Sequence, residues 1–249
     1  MTTLLPKDIM TLYTFLAIVN LACSGVLLLL RRVVILKILW GIAPFLWLAQ
    51  LLCHFSHTSP YSLSGIAPTC AIAAIVLLLC QHLSLRHDLE SARPRYTALF
   101  LLLLAMASLV NESVRHNPFM MTYIFAILFF LSRPFSLGCT LYALSGMACL
   151  LTTDKTDTRI RRTSKDATFA ASIFFLGGEI VGCYWGFMGW GTTWRWSGNF
   201  LFSAMFFVLF MVALHVPPHV FRSRRGHDIL FSVPLLLIAL FMVMSKVLQ

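Results

Sequence analysis

Charged side chains are scarce in this sequence, and acidic ones are scarcest. Only 11% of the 249 residues are charged, with nine Asp or Glu against 19 Lys or Arg. A water-soluble globule carries about 25% charged residues, so this composition excludes that class. A hydrophobic share of 59% and a mean hydropathy of +0.85 indicate instead a protein surrounded by lipid.

The motifs that mark common soluble functions are also missing. The chain has no Walker A loop, no glycine-rich dinucleotide fingerprint and no HExxH zinc helix. Its seven cysteines form no CxxC pair and lie in or beside apolar runs, so they are interpreted as small buried hydrophobes. No basic face is interleaved with aromatics, and the excess of positive charge therefore does not indicate nucleic-acid binding.

Long apolar runs are what the sequence does contain. A membrane-spanning helix needs about 20 predominantly apolar residues, and backbone groups in lipid must satisfy one another, which favours helices. The alternating segments of a membrane barrel are absent. The sequence therefore predicts an all-α polytopic membrane protein, a single domain over 1–249, embedded in the lipid bilayer. The runs lie at about 10–30, 35–54, 63–82, 97–110, 118–131, 135–151, 167–187, 200–216 and 229–245.

The distribution of basic residues predicts how these runs cross. Fourteen of the 19 basic residues fall in four segments, which are 31–37, 83–96, 152–166 and 217–228. The positive-inside rule puts all four in the cytoplasm, with 83–96 and 152–166 as solvated hairpins. Because each span moves the chain to the other side of the membrane, all four segments fall on the same side only if one of the runs between 97 and 151 does not cross. The short run 118–131 ends at Ser132-Arg133-Pro134, so we predict that it is an external interfacial helix. Eight spans then remain, and both termini lie outside.

Ionisable groups within predicted spans are functional candidates, because leaving them unpaired in lipid is costly. Glu179 lies mid-span among Gly177, Gly178 and Gly182, small residues that allow a neighbouring helix to approach closely. Two interpretations remain open for Glu179. It is either a buried carboxyl hydrogen-bonded to a neighbouring helix or a member of a proton or charge relay.

Two histidines close predicted spans on the same side. His215 ends the run 200–216, where a neutral imidazole can ligate haem iron or can cap the helix end. His82 ends the third run, so a His82/His215 ligand pair is geometrically possible. A structural role for each histidine alone is the alternative.

Four of the six tryptophans occur within twelve residues, at positions 185, 190, 194 and 196. Tryptophan favours the membrane–water boundary, so an aromatic belt on an external loop is one interpretation. The other is a flat aromatic shelf for a planar ligand such as a porphyrin. Trp190 and Trp194 would share a face if the segment is helical. Arg195, between Trp194 and Trp196, would pair with a ligand carboxylate or stack on a ring.

The stretch around these tryptophans reads GGEIVGCYWGFMGWGTTWRW, and the apolar run after it ends in ALH. This order resembles the tryptophan-rich signature of the CcsA/CcmC/CcmF haem-handling proteins of cytochrome c biogenesis, and CcsA most of all. The matching positions fall in step without a gap, and they are Gly178, Gly182, Trp185, Trp190, Gly191, Trp194, Trp196, Leu214 and His215.

The resemblance implies a function. Such proteins collect haem b and present it on the external tryptophan platform, where apocytochrome c thiols add to it. They work with a CcsB/ResB-type partner, here in a bacterial inner membrane, as a component of haem attachment. His215 matches the intramembrane histidine of the family, so the resemblance implies that it is a haem ligand.

The chain also departs from the family pattern. Ser197, Gly198 and Asn199 stand where the family has Asp-Pro-Lys, so the aspartate is lost. No histidine occurs between His116 and His215, and none occurs in the tail, so both external axial ligands are missing unless His116 or His57 has taken over one role. These departures favour an alternative function, a non-catalytic membrane scaffold or assembly subunit derived from the same fold.

Overall fold

The described parts of the protein are helices joined by short non-helical segments. The computed structural model describes residues 6–29, 33–57, 63, 65–88, 92–110, 124–153, 157–193, 198–217 and 223–247. These residues form eight helices and no strand, which confirms the predicted all-α class. The helices are α1 (Pro6–Leu29), α2 (Val33–His57), α3 (Ile66–Asp88), α4 (Arg93–Ser108), α5 (Ile124–Thr152), α6 (Thr158–Trp190), α7 (Gly198–Leu214) and α8 (Arg224–Val247).

Six helices are long and apolar enough to cross a membrane, namely α1, α2, α3, α5, α6 and α8. The other two are shorter: α4 has 16 residues and α7 has 17. At 1.5 Å per residue each is about 25 Å long, somewhat less than the roughly 30 Å of a hydrocarbon core. The structure is thus that of an α-helical, multi-pass membrane protein, and the count of eight spans stays a prediction.

One end of the bundle is here called the tryptophan end, because α6 finishes there at Trp190. Tyr13, near the start of α1, donates a hydrogen bond to the carbonyl of Ser108 at the end of α4 (2.9 Å). Lys246, near the end of α8, lies 5.6 Å from the ring centroid of Phe130, near the start of α5. Odd-numbered helices therefore begin at this end, and even-numbered helices finish there.

The opposite end is here called the arginine end. Arg161, near the start of α6, makes a two-pronged ion pair with Asp228 near the start of α8, at 3.0 and 2.7 Å. Tyr96 of α4 donates to the Thr152 hydroxyl at the end of α5 (2.8 Å). The described parts of the four basic segments all lie at this end. The alternating direction of the helices agrees with the predicted clustering of positive charge on one side.

The predicted break at Ser132-Arg133-Pro134 is wrong, because α5 is one continuous helix through all three residues. Residues 124–131 are its first turns and do not form a separate interfacial helix, while 118–123 lie outside the described residues. Proline removes a single backbone donor, and neighbouring helices and hydroxyls compensate for that loss in membrane helices. Pro134 is buried, and the Ser132 hydroxyl donates to the Phe129 carbonyl (2.8 Å). Since the runs 118–131 and 135–151 contribute to one helix, they count as one crossing, and the four basic segments can still lie on one side of the membrane.

The two predicted solvated hairpins are wrong in part. The first turn of α4 lies inside the segment 83–96, and its Arg93 is fully buried. Within 152–166, helix α6 begins at Thr158, where the Asp157 side chain caps it by accepting from the Arg159 and Ile160 amides. The charged residues of these two segments led to their interpretation as loops. Packing against α5 and α8 instead stabilises helical structure within them.

Glycines set the close approach of α5 and α6. A Cβ atom on Gly178 would collide with Ser132, and one on Gly182 would come within 2.5 Å of the Phe129 ring. The neighbouring Gly177 faces open space. The predicted role of these small residues in helix–helix approach is therefore confirmed for Gly178 and Gly182, but it does not hold for Gly177.

Gly177 and Gly178 provide a matched test of this packing. We expect Gly178→Ala to lower the free energy of unfolding by about 1–3 kcal/mol, because an inserted methyl group overpacks a tight contact. Gly177→Ala adds a methyl group to open space and is expected to be neutral or to stabilise by up to about 1 kcal/mol through helix propensity. Unfolding in mixed detergent micelles measures both changes. Equal effects of the two substitutions would contradict the packing.

Candidate functional site

Four rings form an aromatic cluster at the tryptophan end, namely Phe129 and Phe130 of α5 with Trp185 and Trp190 of α6. The Trp185 ring centroid lies 6.0 Å from that of Phe129, 5.9 Å from that of Phe130 and 5.6 Å from that of Trp190. The cluster forms because α5 and α6 pack along their length and Gly182 lets Phe129 approach. Two of the predicted site tryptophans are thereby brought together.

The described tryptophans do not make the predicted flat shelf. The Trp185 plane is inclined by 34° to Phe129, by 70° to Phe130 and by 61° to Trp190. Aromatic rings favour such edge-to-face contacts over parallel sandwiches. Trp185 is partly buried within the cluster, whereas Trp190 is 50% exposed. Trp190 is therefore the ring that offers a face to a ligand.

Helix α6 ends at Trp190. Gly191 adopts φ +70°, and its amide donates to the Phe187 carbonyl (2.8 Å), a left-handed helix cap that glycine accommodates without strain. Trp190 and Trp194 were predicted to share a face only if the segment between them is helical, and residues 191–193 are not helical. Trp194, Arg195 and Trp196 lie outside the described residues, so their proposed roles rest on the sequence alone.

The α5–α6 pair extends beyond its neighbours at the tryptophan end. Thr69, in the first turn of α3, and Lys246, in the last turn of α8, line the same cleft as Arg133. Helix α5 continues nine residues further, from Arg133 to Ile124, which is about 13 Å. The aromatic cluster therefore lies at or beyond the level where α3 and α8 end.

A buried charge pair lies beneath the aromatic cluster. Arg133 donates from Nη2 to Glu179 Oε1 and to the Ser203 hydroxyl, both at 2.9 Å, and Ser203 donates to the same carboxylate oxygen at 3.1 Å. The Arg133 and Glu179 side chains are only 16% and 21% exposed. The guanidinium carbon also lies 4.5 Å from the Phe129 ring centroid. Helices α5, α6 and α7 are thus joined by one polar network.

This network agrees with the first interpretation of Glu179, a carboxyl hydrogen-bonded to a neighbouring helix, and its partner is an arginine of α5. A role for Glu179 in a proton or charge relay stays a hypothesis. Arg133 was predicted to lie in the break that ends an external interfacial helix, and that prediction is wrong because α5 does not break there. The spacing 133 to 179 in sequence has no local signal, so only helix packing reveals the pair.

The two candidate histidines lie away from the aromatic cluster and apart from each other. His215 follows the last turn of α7 at the arginine end, is exposed, and its Nδ1 lies 2.9 Å from the Met211 carbonyl oxygen. His82 is exposed on α3, which packs mainly against α2, α4 and α5, whereas α7 packs against α6 and α8. Within the described residues, no three His, Cys, Asp or Glu side chains cluster as a metal site.

A second polar cluster, at the arginine end, was not predicted from the sequence. The buried guanidinium of Arg93 lies 3.8 Å from the Tyr142 ring centroid, and its Nη1 donates to the Thr163 hydroxyl (2.8 Å). Nη2 donates to the Tyr142 carbonyl (3.4 Å), and the Tyr142 hydroxyl contacts Ser84. Helices α3, α4, α5 and α6 meet in this cluster.

The fold and these clusters define a class, an α-helical membrane protein with an aromatic, cation-flanked surface at one end. Comparisons with protein-family models, with curated proteins and with solved structures find no match.

Proposed function

We propose that this protein handles haem at the tryptophan end and presents it for covalent attachment to apocytochrome c. The observation that carries the proposal is the aromatic cluster with two cations beside it. Haem b is a large planar apolar cargo with two carboxylates. A half-exposed Trp190 offers a ring face, and Arg133 and Lys246 lie over Phe129 and Phe130. The residues therefore suit both the apolar and the anionic parts of the cargo.

The proposed orientation puts the tryptophan end outside and the arginine end in the cytoplasm. It is supported by the concentration of basic residues at one end, which matches the positive-inside rule. We propose eight spans with both termini outside, and the alternating direction of the helices supports this arrangement. The bacterial inner membrane is the location that the family resemblance implies. In this orientation the cargo would be presented where a secreted apocytochrome c and a CcsB/ResB-type partner can reach it.

His215 is proposed as an iron ligand at a second haem position. Helix α7 has 17 residues and is therefore about 25 Å long, so His215 lies too far from the tryptophan end to serve a haem there. Its Nδ1 faces the Met211 carbonyl, which leaves Nε2 as the ligating nitrogen. His82, exposed near the end of α3, is the other candidate at that end.

A non-catalytic scaffold or assembly subunit is the second candidate function. It is favoured by the position of His54, the one histidine at the tryptophan end whose side chain the structure describes. The His54 ring lies 6.0 Å from Tyr13 and 5.8 Å from Phe55, on α1 and α2, and not beside the aromatic cluster. A platform without an axial imidazole would hold haem through stacking and charge alone.

Haem binding by the purified protein tests the proposal. After expression with haem supplied, the detergent-purified chain is expected to show a Soret band. Trp190→Ala should weaken haem binding roughly three- to tenfold, because one exposed aromatic contact is lost. Titration of haem into the purified protein, followed at the Soret band, measures the change.

Phe45→Ala is the matched control, since Phe45 is an aromatic residue of α2 that is 72% exposed. It should leave haem binding unchanged. In the same preparations, His215→Ala is expected to lower the haem content, and unchanged content would remove His215 as a ligand. No Soret band in the chain or in its complex with a partner would reject haem handling and favour the scaffold. The formation of mature cytochrome c when this protein is expressed in a strain that lacks its own haem-attachment system would reject the scaffold function.

A further inference from the structure

A small cleft opens at the tryptophan end between the start of α3, the end of α8 and the sides of α5 and α7. Its polar wall is formed by Thr69, Arg133, Ser245 and Lys246, and its apolar wall includes Phe206 and Met242. The volume within the cleft is ≈ 10 Å³, which is about the room that one water-sized group needs. A single oxygen atom fits inside, and the rest of any larger ligand would remain at the mouth.

Arg133, which lines this cleft, has an unmet donor. Its Nη2 makes both of its hydrogen bonds to Glu179 and Ser203, whereas its buried Nε has no hydrogen-bond partner among the described residues. Buried donors in proteins are nearly always satisfied, by water or an ion where no protein group is present. The guanidinium is therefore expected to donate to a further oxygen beside it.

The local charge selects an anion. Two cations, Arg133 and Lys246, line the cleft. Glu179 is the one carboxylate at this end among the side chains that the structure describes, and it pairs with Arg133 and accepts from the Ser203 hydroxyl. Both hydroxyls of the cleft direct their hydrogens to backbone carbonyls, Thr69 to Gly65 and Ser245 to Met242. Recognition would thus come from the two cations.

The depth of the cleft matches that of lipid headgroups. Thr69 lies in the first turn of α3 and Lys246 in the last turn of α8, so the cleft is at the boundary where helices leave the apolar layer. Phosphate oxygens of lipids lie at this level, and basic pockets between membrane helices bind such headgroups. The apolar wall of Phe206 and Met242 would lie beside the glycerol and the start of the acyl chains.

We propose that this cleft binds an anionic phosphate oxygen of a membrane phospholipid, held by Arg133 and Lys246. Free phosphate has the same oxygen chemistry, but it would not use the apolar wall. The proposal needs no haem, and its test is made without haem. Because Arg133 and Lys246 are also the cations that the proposed function puts beside the haem carboxylates, lipid and haem would compete for them.

Native mass spectrometry of the full-length protein tests the proposal, with phosphatidylglycerol added to the detergent. Lys246→Gln is expected to weaken retention of this lipid about tenfold, since a charge-assisted contact is lost. The double variant Arg133→Gln/Glu179→Gln removes the other cation without leaving a lone carboxylate and should have a similar effect. Lys165→Gln, an exposed lysine of α6 at the arginine end, is the matched control.

Two further probes separate the sources of the oxygen. Diacylglycerol, which lacks phosphate, should not be retained, and millimolar inorganic phosphate should not displace the lipid. Displacement by inorganic phosphate would assign the cleft to the free anion and overturn the lipid assignment. Equal retention of phosphatidylglycerol by wild type and both variants, or equal retention of diacylglycerol, would overturn the site itself. Circular dichroism and size-exclusion profiles establish that each variant is folded.

Discussion

Replacing Glu179 with leucine is expected to lower the free energy of unfolding by about 3 kcal/mol. The substitution leaves the guanidinium of Arg133 largely buried without its carboxylate, and breaking a buried pair on one side is strongly destabilising. The pair is 2.9 Å apart, and both side chains are less than a quarter exposed. Unfolding in mixed detergent micelles measures the change.

The double variant Arg133→Leu/Glu179→Leu distinguishes the effect of leaving one charge unpaired from the effect of removing the whole ion pair. Since both charges are removed together, it is expected to be within about 1 kcal/mol of wild type, as hydrophobic replacements of buried pairs often are. Ser203→Ala is the control for the hydroxyl alone and should cost about 1 kcal/mol. If the destabilising effects of Arg133→Leu alone and Glu179→Leu alone simply add in the double variant, the two residues do not interact, and the pair is rejected.

Replacing Arg93 with methionine is the second large effect, with an expected loss of about 2–4 kcal/mol of unfolding free energy. Methionine keeps the apolar stem but removes a desolvated cation–π contact with Tyr142 and the hydrogen bonds to Thr163 and the Tyr142 carbonyl. The lost contacts connect α4 to α5 and α6. The same micelle unfolding experiment measures the change.

Arg95→Met is the matched control for Arg93, because Arg95 lies two residues further on the same helix and is exposed. It should change the free energy of unfolding by less than about 0.5 kcal/mol. Arg93→Lys keeps the charge but not the planar fork, so an intermediate loss is expected. Equal effects at positions 93 and 95 would contradict a stabilising role for the buried guanidinium.

The sequence predicts the helical class well, and the reason is specific. Within lipid the backbone has no water to bond, so a long apolar run has one stable local structure. The run 35–54 lies within α2, and 229–245 lies within α8. The glycines at 178 and 182 also mark the α5–α6 contact in the sequence alone, since the absence of a side chain allows a neighbouring helix to come close.

Helix boundaries near proline and charged residues were predicted less well. Pro134 and Arg133 were interpreted as a break, and Arg93 as part of a solvated loop. In water those residue types usually end a helix or face solvent, but here each side chain finds a partner on another helix. Because such a partner lies 46 or 49 residues away in sequence, no local pattern indicates it.

The residues of the candidate site were also predicted only in part. Trp185 and Trp190 were identified from their spacing, and the structure brings them into one cluster with Phe129 and Phe130. The inclination of their rings was not predictable, because it depends on how α5 packs against α6. Arg133 was overlooked as a site residue for the same reason.

By itself the sequence determined that this protein is a bundle of apolar helices with its positive charge at one end. Run length and charge position are properties of single segments, and they act without reference to the rest of the chain. Only the tertiary structure decided that two runs form one helix and that Arg133 pairs with Glu179. Those outcomes depend on the register between helices, which is fixed by side-chain packing across segments distant in sequence.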